Sequence, residues 1–220
     1  VPPGGRLAVV GATGSGKTTF AKLLVRLLDP DRGVVLIGGH DLRTVARTSL
    51  RSRVAFVPQE GFLFTGTIAN NIRYGHPGAS DAEVTAAFHE LDLEDWLGQL
   101  PSGIHTPVGE RGSSLSAGER QLVALVRAWV SNPDLLVLDE ATSAVDPALD
   151  VSLRRAIDRL ISGRTSVTIA HRLATAEAAD DVLVFDRGRL VEHGRHRDLL
   201  VAGGVYAGLY ADWTTGTAVV

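Results

Sequence analysis

Short apolar runs recur along this chain between stretches whose apolar residues fall at helical spacing. Arg6–Val10, Val34–Ile37, Val54–Val57, Asp134–Asp139 and Thr165–Ala170 read as strands. Lys17–Leu28 places Phe20, Leu23, Leu24, Leu27 and Leu28 on one face of a helix, which Asp29–Gly33 breaks. From Thr67 to Arg127 the character turns helical, over Thr67–Arg73, Ser80–Leu91, Leu93–Leu100 and Ala117–Val130. Ser80, followed by Asp81 and Glu83, has the composition of a capped helix start. Pro147–Ser162 is a further helix, and His196–Val201 opens a last helical region. Val182–Phe185 and Arg189–Glu192 flank Asp186-Arg187-Gly188, a hairpin turn. There is no internal repeat and no low-complexity linker. Strands alternating with helices predict an α/β fold with a largely parallel sheet, interrupted by an all-helical insertion.

Composition narrows the function classes. A chain of 220 residues is long enough for one α/β domain with a sizeable core. The formal net charge of −3 offers no basic field for nucleic acid. Without cysteine there are no disulfides, thiolate metal sites or thiol redox chemistry. No apolar run reaches the roughly 18–20 residues that span a bilayer, and no signal-peptide pattern is present. The absence of methionine and the start at Val1 fit a domain cut from a longer polypeptide. Of 22 basic residues only Lys17 and Lys22 are lysine, so a lysine in a special place is not background.

Lys17 is in such a place. Gly11-Ala12-Thr13-Gly14-Ser15-Gly16-Lys17-Thr18 fits G-x-x-x-x-G-K-[ST], after a strand and before a helix. Gly11, Gly14 and Gly16 let the backbone turn its N–H groups inward toward phosphate oxygens, with Ser15 and Thr19 in the same turn. The helix N-terminus adds its positive dipole end. Lys17 would neutralise the β- and γ-phosphates, and the Thr18 hydroxyl would bind Mg²⁺. Leu135–Glu140 is an apolar strand that delivers two carboxylates at its C-terminal end, where ligands sit in open α/β sheets. Asp139 is placed for Mg²⁺ and Glu140 for the attacking water. Gln59, after Val54–Pro58, can reach the metal or the water without adding charge. His171 ends the strand Thr165–Ala170 in a position to meet the γ-phosphate.

Leu115-Ser116-Ala117-Gly118-Glu119-Arg120 opens the helix Ala117–Val130 and supports two readings. Ser116 with Glu119 three residues on is a capping box. Equally, Ser116 can donate a hydroxyl to phosphate while Gly118 lets backbone approach closely at a helix N-terminus. The two are compatible. A second phosphate-grade motif on one small domain makes sense if it completes a site on another molecule.

Together these motifs resemble the ATP-binding-cassette ATPases, the nucleotide-binding domains of ABC transporters. Gly11–Thr19 looks like Walker A, Gln59 the Q-loop, Leu115–Glu119 the family signature (usually LSGGQ), and Leu135–Glu140 Walker B. Ser143–Asp146 resembles the D-loop and His171 the switch histidine. Leu63–Ile68 with Asn71-Ile72, Gly109–Gly112, Gly188–Gly194 and Gly203–Tyr206 are similar to exporter-type patterns. The resemblance implies a P-loop NTPase, RecA-like core with an inserted helical signature subdomain. It divides the chain into core residues 1–66, a helical subdomain over 67–127, and core with C-terminal helices over 128–220. It implies binding of ATP and Mg²⁺, the metal through Thr18, Gln59 and Asp139, and hydrolysis with Glu140, His171, Gln59 and Lys17. Ser116 and Gly118 would cover the γ-phosphate held by a second nucleotide-binding domain, identical or not, in a head-to-tail dimer, and Asp146 would communicate between the two sites. Transmembrane domains would be the other partner, and the cytoplasmic side of the cell membrane the location, with no nucleic acid involved. The alternative is a regulatory module that binds ATP and dimerises without efficient turnover.

Two departures from the pattern stand out. Ala117 and Glu119 take the places of glycine and glutamine in the signature. The family also stacks an aromatic on adenine ahead of Walker A, and none of the residues before Gly11 is aromatic. The N-terminal strands of the antiparallel subdomain are therefore expected to be truncated here, leaving an unprotected sheet edge.

Overall fold

The computed structural model describes residues 1–139, 147–170 and 172–215. In chain order it runs β1 (Arg6–Val10), α1 (Lys17–Leu24), β2 (Leu36–Ile37), β3 (His40–Asp41), α2 (Arg47–Arg53), β4 (Val54–Val57), α3 (Ile68–Arg73), α4 (Asp81–Glu90), α5 (Glu94–Gln99) and α6 (Ala117–Val130). It continues with β5 (Leu135–Asp139), α7 (Pro147–Ile161), β6 (Thr165–Ile169), α8 (Leu173–Glu177), β7 (Asp181–Asp186), β8 (Arg189–Gly194), α9 (His196–Ala202) and α10 (Val205–Thr215). The chain forms two compact units, one of Val1–Leu50, Val137–Glu140 and Arg164–Val220, the other of Arg51–Leu136 and Ala141–Gly163.

The first unit is built on a sheet in which β5, β6, β1, β7 and β8 are neighbours in that order. β1 pairs in parallel with both β6 and β7, with Val9 opposite Ile169 and Leu183. Flanked on both sides, β1 has buried residues from Leu7 to Val10, the continuous apolar run that an interior parallel strand needs. β8 returns antiparallel to β7 through Arg187 (φ 46°) and Gly188 (φ 76°), the left-handed pair of a tight hairpin. One apolar cluster joins Ala8, Val10, Val182 and Val184 to Leu199 and the fully buried Tyr206 of α9 and α10.

Glu192 fixes α10 to β8: its carboxylate accepts the Val205 N–H at 2.5 Å and the Tyr206 N–H at 3.0 Å. It thus supplies from another element the cap that the first turn of α10 lacks in its own sequence.

α1 stops at Leu24, short of the expected Leu28. Arg26 takes a left-handed conformation (φ 52°), and its guanidinium donates to the Leu42 and Val45 carbonyls at 2.6 and 2.9 Å. Those tertiary bonds outweigh the helical pattern, and Leu27 and Leu28 are left exposed. The expected strand Val34–Ile37 is likewise cut to Leu36–Ile37, paired only with the short β3.

The second unit is mainly helical around α6, whose residues Leu122–Val126 are all buried. Against them lie Ile68 and Ile72 of α3, Val84 and Phe88 of α4, and Leu153 and Leu160 of α7, all buried. A fully buried leucine or phenylalanine contributes about 1.5–3 kcal/mol, so this cluster is the dominant stabilising feature of the unit. α4 starts as its sequence predicts, with a Ser80–Glu83 capping box.

Candidate functional site

In the first unit the turn from β1 into α1 is a glycine-rich cradle. Gly11 (φ 148°), Gly14 (φ 78°) and Gly16 (φ 102°) hold backbone conformations that residues with side chains rarely adopt. At Gly11 a methyl group would overlap the Phe185 carbonyl oxygen. Gly16 is the N-cap of α1 and no side chain caps the helix. The first-turn N–H groups are therefore open to an anion, helped by the helix dipole.

The Lys17 ammonium lies over the loop, donating to the Gly11 and Ala12 carbonyls at 2.7 and 2.9 Å. Burial lowers its pKa, while the Asp139 carboxylate works the other way. The Ser15 hydroxyl is buried in the same turn with no protein partner. A buried hydroxyl without a partner costs about 1–3 kcal/mol, and a phosphate oxygen would remove that cost.

Asp139 stands at the end of β5, 3% exposed. The Thr18 hydroxyl donates to its Oδ2 at 3.1 Å. This hard-oxygen pair suits Mg²⁺, which binds through one or two carboxylates plus phosphate oxygens and water. Among the described residues no group of three or more His, Cys, Asp or Glu could hold a metal. The structure thus gathers Gly11, Gly14, Ser15, Gly16, Lys17, Thr18 and Asp139, with Thr19 exposed beside them. Glu140, Ser143–Asp146 and His171 lie outside the described residues.

The other predicted positions belong to the second unit. Gln59 is exposed in the turn after β4. The signature forms a complete capping box: the Ser116 hydroxyl accepts the Glu119 N–H at 3.2 Å, and Glu119 Oε2 accepts the Ser116 N–H at 2.8 Å. Glu119 has a further bond, accepting the Trp96 indole N–H on Oε1 at 3.2 Å. Burial pushes the Glu119 pKa up, and the bonds from Ser116 and Trp96 more than offset it, so the net shift is downward. The glutamate that departs from the family pattern thus uses both oxygens, each for a different donor.

Sequence reasoning gave no role to an exposed aromatic cluster in this unit. Phe62, Phe64 and Tyr74 are 50%, 44% and 59% exposed. The Phe64 ring centroid lies 5.0 Å from that of Phe62 and 4.4 Å from that of Tyr74. Beneath them the fully buried Asn71 amide accepts the Phe64 N–H at 2.8 Å and donates to the Phe64 and Thr67 carbonyls. Arg127 of α6 donates to the Asn71 and Phe62 carbonyls. The signal available in the sequence was Asn71 itself, an amide in the apolar flank of a short helix.

Comparison with known proteins places these features in context. The ABC transporter family model matches residues 1–143. An ATM1-type heavy metal exporter of Novosphingobium aromaticivorans is 47% identical over 211 residues, covering 96% of this chain and 35% of that protein. An ATP-dependent lipid A-core flippase of Bordetella avium is 47% identical over 211 residues, covering 96% and 36%. A bacterial Atm1-family ABC exporter solved with ATP bound superposes with a TM-score of 0.86 at 47% identity, over 95% of this chain and 36% of that one. The chain spans about a third of the length of the curated relatives it matches.

Proposed function

Because this chain belongs to the ABC transporter family and is its ATP-binding, ATP-hydrolysing part, we propose that it powers an exporter through Mg²⁺-dependent hydrolysis in a head-to-tail dimer. The observation that carries this is the Gly11–Thr18 cradle with Lys17 over it and the Thr18–Asp139 pair beside it. The loop glycines, Lys17, Thr18 and Asp139 lie together in one unit, which supports this reading.

ATP enters with its phosphates over the Gly14–Thr19 turn, where Lys17 exchanges its bonds to the Gly11 and Ala12 carbonyls for phosphate oxygens. Thr18 and Asp139 would hold Mg²⁺, and Gln59 would be a further neutral ligand. When bound, Mg²⁺ neutralises charge on the phosphates. Glu140 orients the attacking water and His171 supports the developing charge on the γ-phosphate. Ser116 and Gly118 of a second copy, or of a related domain, close over that phosphate at the N-terminus of their own α6. Asp146 links the two sites. Residues 67–127 would be the helical subdomain that carries the signature.

The Phe62–Phe64–Tyr74 cluster supplies an aromatic surface for the transmembrane domains, with Gly109–Gly112 as a second contact. Among the described residues no helix is long and apolar enough to cross a membrane.

A phosphate-release assay on the full-length transporter tests the mechanism. Glu140→Gln should retain ATP binding, lose turnover and trap the closed dimer. Hydrolysis at the parental rate would remove Glu140 from the role of water-positioning group.

A further inference from the structure

Gln121 of α6 is 7% exposed, in a helix segment otherwise filled by Leu122, Val123, Ala124 and Leu125. Burying an amide is costly unless its hydrogen bonds are made. Gln121 makes one: its Nε2 donates to the Pro58 carbonyl at 3.2 Å, and its Oε1 has no partner. A half-satisfied amide is a poor stabiliser of a core. Its placement therefore calls for another reason.

The accepting carbonyl supplies one. It belongs to the peptide plane that joins Pro58 to Gln59, so holding that oxygen orients the Gln59 N–H and the start of its backbone. On the far side of Gln59 the chain is held again. A Cβ at Gly61 would lie 2.5 Å from the Arg120 carbonyl oxygen and 2.8 Å from the Gln121 nitrogen, so Gly61 sits directly on the α6 backbone. Gln59 and Glu60 are both exposed and form a short arch between these two feet. Both feet rest on Arg120–Gln121, in the second turn of the helix that Ser116 caps.

We infer that Gln121 is a positioning residue for Gln59: its amide fixes the Pro58–Gln59 peptide and makes the Gln59 arch move with the signature helix. Engagement of Ser116 and Gly118 by a nucleotide would then shift Gln59 without any contact between the two motifs. The inference rests on the role proposed for Gln59 in hydrolysis.

The test is steady-state ATPase kinetics and thermal unfolding of the full-length transporter carrying Gln121→Leu, Gln59→Ala and both. Gln121→Met, unbranched and of similar length, serves if the leucine variant does not fold. Leucine removes the half-paired amide, so the unfolding temperature should be unchanged or higher. The kcat should nevertheless fall, by about tenfold, with KM for ATP within about twofold. Gln59→Ala should be at least as slow, and the double variant no slower than Gln59→Ala alone.

Multiplying losses in the double variant would show that Gln121 acts elsewhere and overturn the inference. So would a parental kcat in Gln121→Leu, or a kcat loss that tracks a lower unfolding temperature. If Gln59→Ala itself turns over normally, the role of Gln59 fails first and the inference falls with it.

Discussion

Glu119→Gln is a one-atom change that restores the residue most familiar at this place in the signature, and it should weaken the start of α6. The parent carboxylate accepts the Ser116 N–H on one oxygen and the Trp96 indole N–H on the other. A glutamine has one oxygen and must turn its NH₂ toward one of the two donors. Hydrogen bonds to charged groups contribute about 1.5–3 kcal/mol each, and the partial exposure of this site favours the low end. The expected loss is about 1–2 kcal/mol, which would speed local exchange of the Ser116 amide roughly five- to thirtyfold.

The pH dependence follows from the direction of the Glu119 shift. With its folded pKa lowered, the carboxylate stabilises fully above the unfolded value of about 4.3 and loses that contribution as pH falls through the folded value. Hydrogen-exchange mass spectrometry on peptides spanning residues 113–122 should show a full gap between parent and variant at pH 7, closing below about pH 4. Equal protection at pH 7, or a gap unchanged at the acid end, would refute the reasoning.

Gly11→Ala places a methyl on the Phe185 carbonyl oxygen at φ 148°, and since that oxygen belongs to backbone it cannot swing aside as a side chain would. ATP affinity should drop at least about tenfold, measured with a fluorescent nucleotide. Asp139→Asn keeps the shape of the Thr18 contact and removes the charge. Nucleotide affinity in EDTA should be near parental, while the gain on adding Mg²⁺ shrinks by about tenfold. Gly204→Ala would drive its methyl onto Glu192 Oε1, a flexible end that can swing away from the Val205 and Tyr206 N–H groups. Glu192→Ala removes the same two bonds. Each should cost about 1–3 kcal/mol and expose α10 to limited proteolysis, with the double variant little worse than Glu192→Ala.

Contiguity governs how much of this was legible in the residues. Gly11–Thr18 reads directly because every group in the cradle is local. The Thr18–Asp139 pair joins positions 121 residues apart, yet it too was readable, because parallel strands deliver their C-terminal residues to one edge. Tertiary bonds were not readable in the same way. Nothing between Lys17 and Leu28 announces that Arg26 will reach the Leu42 and Val45 carbonyls and end α1 early. Helix α2 buries only Leu50 and so carries almost no periodic signal. The Gln121–Pro58 bond and the Asn71 support of Phe64 join polar groups to carbonyls in irregular loops, where no spacing rule applies.

The signature itself shows why its two readings need not compete. A serine hydroxyl has two acceptor lone pairs and one proton. The capping box uses it as an acceptor from Glu119 N–H at 3.2 Å, and the return bond runs to Glu119 from the backbone N–H of Ser116. Ser116 is exposed, so its hydroxyl is also open to a phosphate oxygen. Capping also fixes the Ser116 rotamer and the N-terminus of α6 before a phosphate arrives, so less ordering entropy opposes binding. Ala117 at the first helical position has less backbone freedom to lose than glycine would. Ser116→Ala should therefore remove the cap and the proposed phosphate contact together, whereas Glu119→Gln weakens only the cap. A Glu119→Gln variant as defective in closing over nucleotide as Ser116→Ala would show that the preformed cap, and not the hydroxyl proton, is what the phosphate needs.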